Sequence, residues 1–336
     1  MKAARADRYG GPEVVELADV PGPGEVLVRV GAAALTTADW RIRASAFPGG
    51  LWLAGRLVAG LTRPRHPILD SAFSGSVAAL GPGARGFAPG DPVFGFAPHG
   101  AHAELLTMKA TGAIAPRPTG LTDEDAASLP FGGASALVFL RDVARLERDQ
   151  RLLILGASGA VGVHAVQIAR AMGAHVTAVA SGANEALLRR LGAHDVLDYR
   201  ATDPLDGTRS YDVILDTVGV ATFRRARAAL TRNGQFVPLN YAAIDALRAL
   251  FGRLRRGPRM RIAVSSDSRA TLDDLAAMVR AGTLRLVIER VLPFADIRAA
   301  HRLIETRHRR GSLILQIAPD AETRQAENPT GETPPD

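Results

Sequence analysis

Three features of the sequence predict an α/β protein in which a doubly wound parallel sheet joins a β-rich, barrel-like part. An apolar run at residues 152–155 is followed by a glycine turn and an amphipathic stretch at 161–172. Strand-like and helix-like segments then alternate, as parallel strands require, because each needs a long crossover. Residues 1 to about 117 differ in texture. There, short apolar alternations sit between recurrent prolines and glycines, the pattern of short strands joined by tight turns.

Taken in order, residues 26–30 (V-L-V-R-V) alternate as a strand does, and 75–80 and 92–96 read as further strands. Pro21, Pro23, Gly24, Gly81, Pro82, Gly83, Pro89 and Gly90 punctuate them. A helix is expected over 122–129, opened by a capping pair of Thr122 and Asp125, and a second over 134–145. The parallel strands are expected at 152–155, 175–180, 196–197, 211–215 and 235–239. A short helix at 184–191 is stopped by Gly192. Residues 242–261 form an Arg-rich insertion holding Arg248, Arg253, Arg255, Arg256, Arg259 and Arg261. A sixth strand at 261–264, helices at 272–280 and 295–306, and a last strand at 312–317 complete the pattern. From 319 to 336 prolines and acids without apolar periodicity predict a disordered tail.

Composition narrows the class. At 336 residues and 47% hydrophobic content the chain suits two domains with substantial cores. It has no run of 18 apolar residues and no secretory signal, so a cytoplasmic protein is expected. The absence of Cys excludes disulfides, a thiolate nucleophile and a Cys-ligated zinc. The net charge of +7 comes almost wholly from Arg, since Lys2 and Lys109 are the only lysines.

The stretch L-L-I-L-G-A-S-G-A-V-G at 152–162 carries the chemistry. Strand, glycine turn and helix in this order form the context in which a glycine motif marks a dinucleotide site. A diphosphate must approach backbone N–H groups closely, and a helix N-terminus offers free N–H groups and a partial positive charge. Gly156, Ala157, Ser158, Gly159, Ala160, Val161 and Gly162 are the expected cradle. Ala157 takes the first glycine position of the G-x-G-x-x-G template. The second strand ends V-A-S-G-A-N, with Ser181 where an NAD site usually has an acid for the ribose diol. A 2′-phosphate is not repelled there, so NADPH is expected over NADH, although residues 182–184 supply no Lys or Arg to hold it.

With these pieces the chain resembles the quinone oxidoreductase (zeta-crystallin-like) branch of the zinc-free medium-chain dehydrogenases/reductases. The opening M-K-A-A-R-A-D-R-Y-G-G-P-E, G-F-A-P-G-D-P-V-F-G at 86–95, the glycine loop, Y-D-V-I-L-D-T-V-G at 211–219 and A-H-R-L-I-E at 300–305 carry the resemblance. It implies a GroES-like catalytic domain from 1–117 and 265–318, a Rossmann cofactor domain from 118–264, and an active site in the cleft between them. It also implies an NADPH-dependent reductase of a quinone or an activated C=C, homodimeric as is common in the family, with a quinone, enone or related carbonyl as its partner molecule. Ser135, Ser181, Asn184, Tyr199, Thr217, Leu239 and Asn240 join the glycine loop as expected cofactor contacts. Thr36, Thr37 and Tyr241 are the expected catalytic residues.

The sequence departs from the family at two places. Zinc-dependent branches carry Cys near Thr36 and Gly-His-Glu near 70–72, where this chain has Asp70, Ser71 and Ala72. No catalytic zinc is expected. Zinc-free relatives usually have Asn-Pro at Thr36-Thr37, so these hydroxyls either orient a substrate carbonyl or bond their own backbone. Tyr241 either meets the nicotinamide ribose or is only wall. His66, His99 and His102 are expected as solvated loop histidines. The Arg-rich insertion reads as a solvated helix face rather than a nucleic-acid or membrane contact. The rival readings are a binding or regulatory protein on the same fold and a biosynthetic enzyme with an altered site.

Overall fold

Two large sheets organise the computed structural model, which describes residues 2–6, 8–19, 26–47, 50–69, 71–252, 257–265, 268–307 and 309–318. The expected tail, the Pro21, Pro23 and Gly24 turn, Asp70, and Arg253, Arg255 and Arg256 lie outside the described residues.

The N-terminal half is built from strands. β1 (Lys2–Ala6) and β2 (Val15–Asp19) pair antiparallel. β3 (Val26–Leu35) is a long central strand and runs into α1 (Thr37–Ala44), which a loop joins to α2 (Trp52–Ala59). β4 (Ala72–Leu80), β5 (Pro92–Phe96), β6 (Leu105–Met108) and β7 (Ala113–Pro116) follow. Val26, Val28 and Val30 alternate inward with Phe73, Val77 and Ile114 to form the core of this sheet.

The expected helix at 122–129 is α3 (Asp123–Ala127), capped by the Thr122 hydroxyl, and the next is α4 (Leu129–Val138). Pro130 sits in the first turn of α4, where its missing N–H costs nothing. A six-residue π-helical stretch, Phe139–Ala144, then ends at Arg145 in the left-handed region. The second helix therefore starts five residues before the expected 134.

β8 (Arg151–Leu155) opens the parallel sheet and α5 (Ala160–Ala171) crosses over to β9 (His175–Ala180). α6 (Glu185–Arg190), β10 (Asp195–Asp198), β11 (Tyr211–Asp216), α7 (Phe223–Ala226), β12 (Leu230–Pro238), α8 (Ala243–Gly252) and β13 (Arg259–Met260) continue it. The strand order is β10-β9-β8-β11-β12-β13, with the crossovers reversing direction at β8. Leu152 and Ile154 face one hydrophobic layer and Leu153 and Leu155 the other, so the strand is apolar from 152 to 155. The sixth strand is shorter and earlier than expected. It pairs at Arg259 and Met260, and Val264 is left exposed with nothing to bury against.

α9 (Arg269–Arg280) packs Leu272, Leu275 and Ala276 into the layer shared by α4 and α5. The chain then returns to the first sheet as β14 (Ile288–Pro293), α10 (Ile297–Glu305) and β15 (Ser312–Gln316). β15 lies between β14 and β3, giving the order β14-β15-β3-β4-β5-β7, with β6 also on β3. The fully buried Arg43 of α1 ties this region together by donating to Gly10 O and to Glu305 of α10.

Candidate active site

The glycine loop lies at the carboxyl end of β8, beside the point where strand order reverses, which is where open α/β sheets bind ligands. Its glycines have different reasons. At Gly162 a Cβ would stand 2.3 Å from Gly156 O and 2.6 Å from the Ala157 backbone, so helix and turn pack too closely for any side chain. At Gly159 a Cβ would meet only Gly156 O at 3.6 Å, an ordinary contact. The fold does not demand glycine there. No side chain caps α5, whose first N–H groups face this loop.

Other expected contacts converge on the same edge. Ser181 ends β9, and its hydroxyl accepts a bond from Asn184 Nδ2 at 3.0 Å. Tyr199 is exposed just beyond β10, with the Arg200 guanidinium near its ring. The Thr217 hydroxyl donates to Leu155 O and Gly156 O, so it clamps the ends of β11 and β8. Asn240 Nδ2 donates to Thr217 O, and Leu239 packs against the core beside it. Ser135 is buried in α4, and Tyr241 is half-buried beyond β12.

Sequence reasoning missed the strap that closes this edge. Arg307, Arg309, Arg310 and Gly311, between α10 and β15, lie against the glycine loop and its neighbouring segments. Gly311 N donates to Ser158 O at 2.7 Å, and Gly159 and Gly311 form a parallel bridge. Arg310 donates to Asn184 Oδ1 at 2.9 Å and to Ala183 O at 3.2 Å. The cation lacking at 182–184 therefore comes from 126 residues further along the chain. Arg309 donates to the Thr37 hydroxyl at 2.7 Å. Burial lowers the Arg309 pKa to about 10, which leaves it cationic at neutral pH. The signal was the run of arginines before the last strand. A second missed residue is Asp216, fully buried, whose carboxylate accepts from the N–H groups of Val218, Gly219 and Ala221 and shapes the loop after β11.

Thr36 and Thr37 take different places. Thr36 is the N-cap of α1. Its hydroxyl donates to Asp39 Oδ2 at 2.5 Å, while Asp39 N donates back at 3.4 Å and Thr36 N donates to Asp39 Oδ2 at 2.8 Å. Its proton is committed to that carboxylate rather than free for a substrate. Thr36 and Phe131 border both a narrow seam containing Ala160 and Arg309 and a larger, mainly apolar cavity of about 510 Å³. Ile42, Phe47, Val58, Leu69 and Phe96 line that cavity. Thr37 and Tyr241 are not on its wall. Arg41 of α1 donates to Asn240 across the cleft.

Of the three histidines expected as solvated loop residues, His66 and His99 are exposed in loops and His102 is not. His66 and His99 are stacked, with ring centroids 3.7 Å apart, and both line the cavity. His102 is fully buried beside His301 and does not share their surroundings, so its three-residue spacing from His99 brings no ligands together. Burial pushes its pKa down to about 3. Of the Arg-rich insertion, Arg248 and Arg259 are exposed, and Arg261 donates to Gln235 Oε1.

The profile of the alcohol dehydrogenase GroES-like domain matches residues 22–138, and that of zinc-binding dehydrogenases matches residues 191–315. A mitochondrial NAD(P)H oxidoreductase of Danio rerio is 30% identical, over 95% of this chain and 92% of its own. The chain belongs to the medium-chain dehydrogenase/reductase superfamily. In structure this superfamily member resembles the quinone oxidoreductase of Coxiella burnetii, with a TM-score of 0.83 and 28% identity over 95% of this chain and 99% of that one. A mycobacterial protein solved in complex with NADPH gives a TM-score of 0.76 and 25% identity over 94% of this chain and 100% of that one. It is thus an oxidoreductase with a GroES-like part and a parallel-sheet cofactor part.

The zinc named by the second profile does not fit this chain. There is no Cys, and Thr36, Ser71 and Ala72 stand where ligands would be needed. Among the described residues no group of three or more His, Cys, Asp or Glu is placed to hold a metal, and no helix is long and apolar enough to cross a membrane.

Proposed function

We propose that this oxidoreductase uses NADPH, without zinc, to reduce a quinone or an activated C=C such as an enone. The observation that carries the reading is the adjacency of three parts. The α5 N-terminus and the Arg309 seam meet, through Thr36 and Phe131, an apolar cavity large enough for a ring or short chain. The bound nicotinamide supplies a hydride. The chain supplies the rest. Backbone N–H groups of the glycine loop and Arg309 would hold the diphosphate. The apolar wall excludes water and orients a flat substrate.

Preference for the 2′-phosphate rests on Ser181 and Arg310. No acid ends β9, and the Arg310 guanidinium is held at that strand end by Asn184 and Ala183. The Asp198 carboxylate lies close to Gly182, just after β9, and accepts the Arg200 N–H. Calorimetric titration of the wild type with NADPH and NADH tests this, alongside turnover of a quinone and enone panel. Arg310→Gln should weaken NADPH about tenfold or more, as expected for charge-assisted bonds of about 1.5–3 kcal/mol, and leave NADH unchanged. Tighter NADH binding by the wild type would overturn the cofactor assignment. Absence of turnover with every quinone and enone would overturn the reductase.

A further inference from the structure

We propose that the stacked pair His66 and His99 is the proton donor that completes reduction in this cavity. The inference rests on the reductase reading above. His66 lies in the loop before β4 and His99 in the loop after β5, so two separate segments bring the rings together. They stack at 3.7 Å with only 12° between their planes.

The other polar side chains on the cavity wall among the described residues are Thr36, Asp39 and Ser71. The Asp39 carboxylate is occupied by the Thr36 N–H and hydroxyl at the start of α1. The Thr36 proton faces that carboxylate, away from any substrate. A serine hydroxyl does not ionise near neutral pH. Arg56 of α2 turns aside, donating to Ser45 Oγ and lying over the Tyr9 ring. The imidazoles are therefore the wall groups whose ring nitrogens can both hold and release a proton.

Stacking supports the release. Two cationic rings face to face repel, which favours release of a proton from a charged stack. His99 has a lowered pKa through burial and the charge of His66. Both residues are exposed at the cavity mouth, where water can restore the proton.

The step balances. An enone accepts the hydride at the carbon β to its carbonyl, and the C=C electron pair moves to the carbonyl oxygen as an enolate. The nicotinamide is oxidised by two electrons and the enone is reduced by two. The imidazolium N–H bond breaks, and its proton forms the new bond at the α carbon. For a quinone the same proton goes to the oxygen of the hydroquinone anion. Neutral imidazole remains.

The test uses His66→Gln, His99→Gln and the double variant, assayed across pH with the best enone or quinone. The pair should give wild-type kcat an alkaline limb, as the donor loses its proton. The double variant should lose that limb and fall roughly 10²-fold at neutral pH, the scale of general acid catalysis. Added imidazole should restore part of the rate, and NADPH affinity should hold. A double variant that keeps both kcat and the limb overturns the proposal while leaving the reductase intact. Wild type inactive on all acceptors overturns the reductase first, and this proposal with it. A second readout needs no turnover and no variant. In nitrogen-labelled wild type, 4-methylphenol, a hydroquinone mimic, should shift the His66 and His99 resonances. The stacked pair His175 and His194, 4.3 Å apart on the parallel sheet, serves as control. Absence of a shift at His66 and His99, or an equal shift at both pairs, also overturns it.

Discussion

At the scale of single residues, adjacent threonines with the same chemistry do different work because one is a helix cap. Thr36 gives both its hydrogen-bonding directions to Asp39. Thr37 accepts from Arg309 and so couples α1 to the strap over the glycine loop. Thr36→Val should therefore destabilise the protein by about 1 kcal/mol, as cap losses do, measured by urea unfolding. Its kcat, corrected for folded protein, should change little. Thr37→Val should leave stability nearly unchanged and weaken NADPH a few-fold, about 1 kcal/mol for one lost hydrogen bond. A fall in kcat for Thr36→Val at unchanged stability would return that hydroxyl to the substrate. None of this division was legible in T-T-A-D-W. The T-x-x-D spacing that marks a cap was there, yet the helix it opens is only eight residues long and weakly patterned.

At the scale of elements, the β8 turn α5 unit was the most legible part of the chain. Its apolar run is buried on both faces and its glycines are local requirements, so sequence and structure carry the same signal. The two glycines separate in experiment. Gly162→Ala pushes a Cβ into backbone atoms that cannot move aside, so a loss of about 3 kcal/mol or more is expected in thermal or urea unfolding. Gly159→Val should fold with near wild-type stability and fail to bind NADPH in calorimetry. Equal loss of stability in both variants would show that Gly159 serves the fold alone. Elements set by distant partners were less legible. β13 is an edge strand of two residues, fixed by β12 rather than by the apolar pattern at 261–264, and α4 begins early because Pro130 starts it. The cation beside Ser181 and the His66 and His99 stack join segments far apart in sequence, which no local pattern reports.

At the scale of the molecule, the return of the chain from the parallel sheet buries charge-bearing groups near α10. His102 and His301 meet edge to face, with ring centroids 6.3 Å apart, and Arg43 lies close by. Burial lowers the pKa of His102 to about 3, and burial with the charges of His102 and Arg43 lowers that of His301 to about 2. Both sit below the ordinary 6.5, so the unfolded chain binds more protons than the folded one between these values. The stabilisation is complete above about pH 6.5 and is lost as the pH falls toward 3, at up to about 1.4 kcal/mol per pH unit for each ring. Urea midpoints measured from neutral to acid pH should decline accordingly, and His301→Leu should flatten the slope. The strand order has a consequence for how the chain is made. β3 needs β15 as its neighbour, and β15 emerges after every strand of the parallel sheet. During synthesis, that sheet can close while β3 still offers an open, apolar edge over Ala32–Leu35. A chain interrupted before residue 312, by a stalled ribosome or a protease, would keep its cofactor loop and expose that edge. Such fragments should be the aggregation-prone species that chaperones and quality control must remove.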